Sequence, residues 1–194
     1  MKTSPGIKAI ALIVSLLLLI PISKNWYSFL ARTFSDDNDT SVNPLEYKIL
    51  TDSTAAVSKC CLPEIENICI PEKIHIEGKD YTVTKIGKKA FSYCRKLTNI
   101  IIPSSVTEIE YSAFSGCSSL TNVKLPSNIT CINDFTFYEC TNLKIIIIPS
   151  NVTSIGYEAF EGCNNLDVVI NNSKDGVNVE MYAFKGCKSV KYTK

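Results

Sequence analysis

Histidine is nearly absent from this 194-residue chain: His75 stands alone. The one side chain that titrates near neutrality and commonly ligates metals is available only once, which starves acid–base and metal-centred chemistry. No nucleophile has a base partner in the sequence pattern, so the chain is not expected to be an enzyme or to carry a cofactor. An excess of one charge is also missing. Twenty Lys and Arg face nineteen Asp and Glu, a net charge of +1, which leaves no footprint for a nucleic-acid backbone. Long apolar runs are scarce. The one that stands out covers residues 9–22, broken only by Ser15 and Pro21 and preceded by Lys2 and Lys8. As a helix it would reach about 21 Å, short of the roughly 30 Å hydrocarbon core, the pattern of a secretory signal. A small-x-small cleavage motif does not follow, and Trp26 and Tyr27 suit interfacial anchors. Residues 1–34 are therefore read as a signal peptide or a signal anchor. The rest is expected outside the cytoplasm, extracellular or at a cell surface, with the membrane engaged only through that segment.

What is present suits a folded domain: 45% hydrophobic and 20% charged residues. Residues 35–45 are acidic and polar without apolar periodicity, and read as a flexible linker. Asp37 and Asp39 hint at a calcium loop, but the turn glycine is missing and Lys48 stands where a bidentate Glu is needed. The folded part is expected over 46–194, with an N-terminal β cap at 46–82 and repeats at 83–194.

An internal period decides the architecture. Phe91, Phe114, Phe137 and Phe160 are spaced by 23, as are Cys94, Cys117, Cys140 and Cys163. Phe184 and Cys187 follow after 24, while Leu97, Leu120, Leu143 and Leu166 keep the interval of 23. Pro103, Pro126 and Pro149 do the same. The units Leu97 to Cys117, LTNIIIPSSVTEIEYSAFSGC, and Leu143 to Cys163, LKIIIIPSNVTSIGYEAFEGC, show the pattern. In each, the leucine and the apolar residues three and five later turn inward on a short strand, which the proline ends by removing an amide donor. Val106 and Ile109 supply a return leg, and the AFxxC segment predicts a short helical turn with Ala113, Phe114 and Cys117 on one face. One unit cannot bury this set alone; stacking turns it into continuous ladders.

These units resemble the BspA-like class of leucine-rich repeats, over roughly residues 74–192. The resemblance implies a leucine-rich-repeat solenoid of parallel stacked rungs, and proteins that are secreted or surface-attached and implicated in adhesion.

The ladder cysteines suit buried thiols, each three residues after a core phenylalanine. Cys60, Cys61, Cys69 and His75 lack the spacing of a zinc knuckle, and no metal site is expected. A disulfide from Cys60 or Cys61 to Cys69 would suit a small exported cap. Asn128 and Asn151 occupy one turn position and are accounted for by turn chemistry. Lys185, Lys188, Lys191 and Lys194 gather where an open sheet edge needs charge.

The candidate binding surface is the outward side of the strands. If Leu97, Ile100 and Ile102 point in, Ile101 points out, and its counterparts at the 23-residue interval are Lys124, Ile147 and Ile170. A second row takes in Asn99, Asn122, Ile145 and Val168. Aliphatic side chains there suggest a recognition or adhesion surface for a protein or glycan partner; the alternative is a self-assembling structural envelope protein, with weak self-association through the same row. A rung stack about 24 Å long and roughly 15 Å wide offers about 350 Å², against roughly 800 Å² per partner in a standard interface. A single copy should bind weakly.

Overall fold

The computed structural model describes residues 44–193. The expected leader, the calcium-like Asp37 and Asp39, and the linker up to residue 43 lie outside the described residues. Among those described, no helix is long and apolar enough to cross a membrane.

The chain opens with β1 (Leu45–Ile49) and β2 (Thr54–Cys60), an antiparallel hairpin. Leu45 is buried in the core, so the first strand takes in the last residue read as linker. Next come β3 (Asn67–Cys69), β4 (Lys73–Ile76) and β5 (Lys79–Ile86). The two residues between β4 and β5 are Glu77 and Gly78, with φ of 52° and 78°. Two left-handed residues make a turn whose twist suits the hairpin.

Each rung then contributes two short strands. On the leading leg lie β6 (Asn99–Ile101), β8 (Asn122–Val123), β10 (Ile145–Ile148), β12 (Asp167–Ile170) and β14 (Ser189–Tyr192). These five and β3 form a six-stranded sheet in the order β14-β12-β10-β8-β6-β3, every pairing parallel. The return leg carries β7 (Glu108–Ile109), β9 (Cys131–Ile132), β11 (Ser154–Ile155) and β13 (Asn178–Val179). There β7 continues from β5, while β9, β11 and β13 form a parallel three-stranded sheet.

Between the legs the predicted ladders are in place. Phe91, Phe114, Phe137 and Phe160 are fully buried, and their rings stack 5.2–5.3 Å apart with planes within 7°. Phe184 extends the column at 5.7 Å. Leu97, Leu120, Leu143 and Leu166 have no exposed surface, nor do Val106 and Ile109 on the return leg. Offset aromatic pairs add about 0.5–1.5 kcal/mol each beyond the area they bury.

The AFxxC segments are turns rather than helices. Ser112 and Gly116 have φ of 54° and 73°, and Phe135 with Glu139, or Glu158 with Gly162, repeat the arrangement. Two left-handed residues four apart cannot propagate a right-handed helix. Their backbone amides instead alternate between bonds within the rung and bonds across it. Cys117 N–H donates to Phe114 O at 3.2 Å, whereas Phe114 N–H donates to Thr136 O in the next rung at 2.9 Å. The turns thus join neighbouring rungs as a sheet would.

Asparagines make a similar link. The amides of Asn128 and Asn151 donate to Ser104 O and Ser127 O, at 3.1 and 2.9 Å. At the C-terminal end Lys185 pairs with Glu161 at 2.6 Å and Lys188 with Asp167 at 2.8 Å, so two of the clustered lysines tie the last rung to the one before.

Candidate functional site

The outward side of the six-stranded sheet is built by strict alternation. Ile100, Val123, Ile146 and Val168 point inward, between 0 and 7% exposed. Their neighbours point out. The first outward row runs Asn67, Asn99, Asn122, Ile145, Asp167 and Ser189 in register. The second pairs Cys69 with Ile101, then continues through Lys124 to Ile147, Val169 and Lys191. Ile101, Ile145 and Ile147 are 63, 46 and 52% exposed, and Lys124 is exposed beside them.

Two of the expected outward residues are not there. Val168 and Ile170 are fully buried. The cause is register: Ile145 pairs with Asp167 and Ile147 with Val169, an interval of 22 rather than 23. The unit has one residue fewer between Leu166 and its strand, and a one-residue slip moves every side chain to the opposite face. Asp167 and Val169 take the outward places. The sequence carried the signal. Phe160 to Phe184 is 24 residues rather than 23, and Leu166, Val168 and Ile170 alternate from the leucine onward without the extra residue seen at Leu97, Ile100 and Ile102.

The outward isoleucines border a shallow groove of about 690 Å³. Ile101, Lys124, Ile145 and Ile147 form its floor, and Pro126 and Pro149 lie where the strands end. Polar residues bound the patch. On one flank the amide of Asn99 donates to Asn67 Oδ1 at 2.8 Å. On the other, Asp167 accepts from Lys188 Nζ at 2.8 Å and Ser189 Oγ at 2.7 Å. Lys188, and after it the Ser189 hydroxyl, hold the Asp167 carboxyl below the usual carboxylate range.

The chemically reactive side chains lie elsewhere and apart. His75 Nδ1 meets Asp80 Oδ1 at 2.7 Å across the exposed β4–β5 hairpin. The four residues considered for zinc separate: Cys61 donates to Glu46 at 3.2 Å, Cys69 faces outward beside Ile101, and Cys60 is buried. The disulfide expected from Cys60 or Cys61 to Cys69 is not formed, and every cysteine is a free thiol. The strand alternation that buries Ile68 and Ile70 turns Cys69 away from the interior that holds Cys60. Among the described residues no group of His, Cys, Asp and Glu is gathered to hold a metal ion. Burial pushes the Cys117 and Cys187 thiols up to about 12.

One surface escaped sequence reasoning. Tyr111, Phe135, Tyr157 and Tyr182 form a column along the turns, with ring centroids 5.4–6.0 Å apart and planes tilted by 60–70°. Lys88 lies 5.0 Å over Tyr111 and Lys185 5.0 Å over Tyr182. Edge-to-face rings closed at both ends by the chain's own cations account for this column as a brace between rungs.

A parallel-stranded solenoid with one rung per repeat defines a repeat scaffold. The family model described as BspA type leucine rich repeat region matches six copies over residues 64–191, and the chain belongs to that family. No curated protein matches the sequence. Among solved structures, a leucine-rich repeat protein from Bacteroides ovatus is 31% identical with a TM-score of 0.65. The match covers 79% of this chain and 41% of that protein, so the chain spans less than half of that relative's length. A leucine rich repeat protein from T. pallidum is 27% identical, with a TM-score of 0.66 and coverage of 79 and 71%. A third, from Bacteroides capillosus, is 32% identical, with a TM-score of 0.56 and coverage of 72 and 96%.

Proposed function

We propose that this protein is an exported, non-enzymatic recognition or adhesion module that binds a protein or glycan partner through the outward side of its six-stranded sheet. The observation that carries this reading is the exposed cluster of Ile101, Ile145 and Ile147 around Lys124. A solvated sheet face normally alternates to polar residues, and here three large aliphatic side chains flank Lys124, Ile101 on the rung before it and Ile145 and Ile147 on the rung after it. An aliphatic floor with one cation suits a protein surface offering apolar side chains and a carboxylate better than it suits a sugar. The apolar run at residues 9–22, behind Lys2 and Lys8, supports delivery out of the cytoplasm.

Size sets the mode of action. About 350 Å² of sheet is less than half of one side of a standard interface, so one copy binds weakly. Many copies on one surface raise the effective concentration and compensate by avidity.

The test places a charge at the centre of the patch. Ile147→Glu in a fragment of residues 36–194 keeps the melting temperature of the parent and lowers capture of surface proteins or glycans at least tenfold. A folded variant that binds as the parent does removes the proposal. Sedimentation velocity on the same pair separates the alternative: a parent that dimerises beside a monomeric variant makes the patch a self-assembly surface.

A further inference from the structure

Four of the five ladder thiols share one arrangement. Cys117, Cys140, Cys163 and Cys187 each donate to the carbonyl of a phenylalanine in the preceding rung, Phe91, Phe114, Phe137 and Phe160, at 3.0, 3.2, 3.1 and 3.4 Å. Cys94 stands in the first rung and has no such phenylalanine behind it. Cys60, the last residue of β2, fills that place. Its backbone N–H donates to Ala90 O at 2.7 Å, which pins the end of β2 against the turn that carries Cys94. The two side chains adjoin in the core at 7 and 3% exposure, and the Cys60 thiol donates to Leu62 O at 3.5 Å. The junction between cap and repeats thus sets two thiols side by side, where every later junction hangs a thiol on the phenylalanine carbonyl of the rung before.

We propose that Cys60 and Cys94 close a disulfide that fastens the N-terminal strands to the first rung. The other cysteines are worse placed. Cys140 and Cys163 also touch, but they hang in parallel from successive rungs. Rungs repeat at about 4.8 Å, whereas a disulfide needs Cβ atoms roughly 3.5–4.5 Å apart. Both of those thiols are held to phenylalanine carbonyls at 3.2 and 3.1 Å, closer than the 3.5 Å from Cys60 to Leu62 O. Cys60 arrives on a separate segment and is free of that parallel spacing. Its neighbours do not compete, since Cys61 is held by Glu46 and Cys69 faces the outer sheet surface.

The chemistry needs a disulfide oxidant, such as oxidised glutathione or an exchange-active protein disulfide. Cys94 donates to the Cys60 sulfur and favours its thiolate, which lowers the Cys60 pKa to about 7, so Cys60 is the attacking sulfur. Its thiolate attacks one sulfur of the oxidant, whose S–S bond breaks and releases one thiolate. Cys94 gives up its proton to that leaving thiolate and attacks the Cys60 sulfur of the mixed disulfide. The second oxidant thiolate leaves and takes up a proton from water. Two electrons pass from the cysteine pair to the oxidant, which ends as two thiols. The exposed residues that follow Cys60 give the oxidant its approach.

The bond would link positions 34 residues apart and remove freedom from the unfolded chain. The test treats the full-length chain with oxidised glutathione, alkylates it in denaturant and digests it without reduction. Mass spectrometry is expected to find one linked peptide pair joining Cys60 to Cys94 and seven alkylated cysteines. Adding a phosphine reductant is expected to lower the melting temperature by about 10 °C, and to leave Cys60→Ser unmoved. Nine alkylated cysteines, a link through Cys61 or Cys69, or a linked protein whose melting ignores the reductant each overturn the proposal. If Cys60→Ser does not fold, the peptide map and the reductant shift of the parent chain decide it.

Discussion

The two sides of the six-stranded sheet are made by the same strands and obey different rules. Inward, the register lines run Ile68, Ile100, Val123, Ile146 and Val168, all β-branched and all buried. Outward, the parallel line runs Cys69, Ile101, Lys124, Ile147, Val169 and Lys191, with no residue type held. The difference follows from packing. A rung's inward side chain must match the rungs above and below at near-crystalline density, so one solution repeats. An outward side chain meets only solvent or a partner, and a rung's neighbours leave it unconstrained. Repetition therefore marks what holds the solenoid together, and departure from repetition marks where it can be specific.

Truncating one residue on each side separates the two roles. Phe137 is stacked between Phe114 and Phe160 at 5.3 Å on both faces and has no exposed surface. Phe137→Ala is expected to cost about 3–5 kcal/mol by denaturant unfolding, because two stacking neighbours lose their partner and a cavity remains. Ile147→Ala, 52% exposed, is expected to stay within about 0.5 kcal/mol of the parent. Equal losses at the two positions would mean that the outward patch is itself a structural surface.

A second pair of variants tests the register slip. Val168 is fully buried and Val169 half-buried on the outward side, yet they are adjacent and chemically identical. Val168→Lys must bury an unpaired ammonium or expel the strand, a loss of roughly 3 kcal/mol or more. Val169→Lys leaves its charge in water, where Lys124 and Lys191 already stand in the same row, and should cost under about 1 kcal/mol. Thermal melting of the two decides it. The opposite order would restore the 23-residue extrapolation that places Val168 outside.

These comparisons also locate what could be read from the residues. Phe114, Cys117 and Leu120 declared their burial because each recurs at one interval, and recurrence at a fixed interval needs no knowledge of the fold beyond stacking. The outward positions of Ile101, Lys124, Ile145 and Ile147 followed from alternation on strands that keep that interval. Val168 and Ile170 did not, because the interval was carried into a unit that had lost a residue before its strand. The helical turn expected at Ala113 to Cys117 failed for a different reason: left-handed backbone at Ser112 is not announced by a serine. The aromatic column was hidden because Tyr111 and Tyr157 lie three residues before the core phenylalanine while Phe135 and Tyr182 lie two before it. The contact of Cys60 with Cys94 was equally hidden, since the cap obeys no repeat and only the folded chain brings its first cysteine to the foot of the ladder.

The interior thiols offer the smallest and most selective test. Burial pushes Cys117 from the ordinary thiol value of 9.0 up to about 12. Between those values the unfolded chain releases a proton that the folded chain retains, so the unfolded state binds fewer protons and stability falls as pH rises. From pH 9 to 10, under reductant, this one group should remove about 1 kcal/mol. Cys117→Ala lacks the group and should lose correspondingly less over the same step, although it begins from a lower stability because Phe91 O loses its donor at 3.0 Å. Urea unfolding at the two pH values measures both slopes. Equal slopes would mean that the thiol meets water in the native state, and the cysteine ladder would then belong with the outer side of the sheet rather than with the phenylalanines beside it.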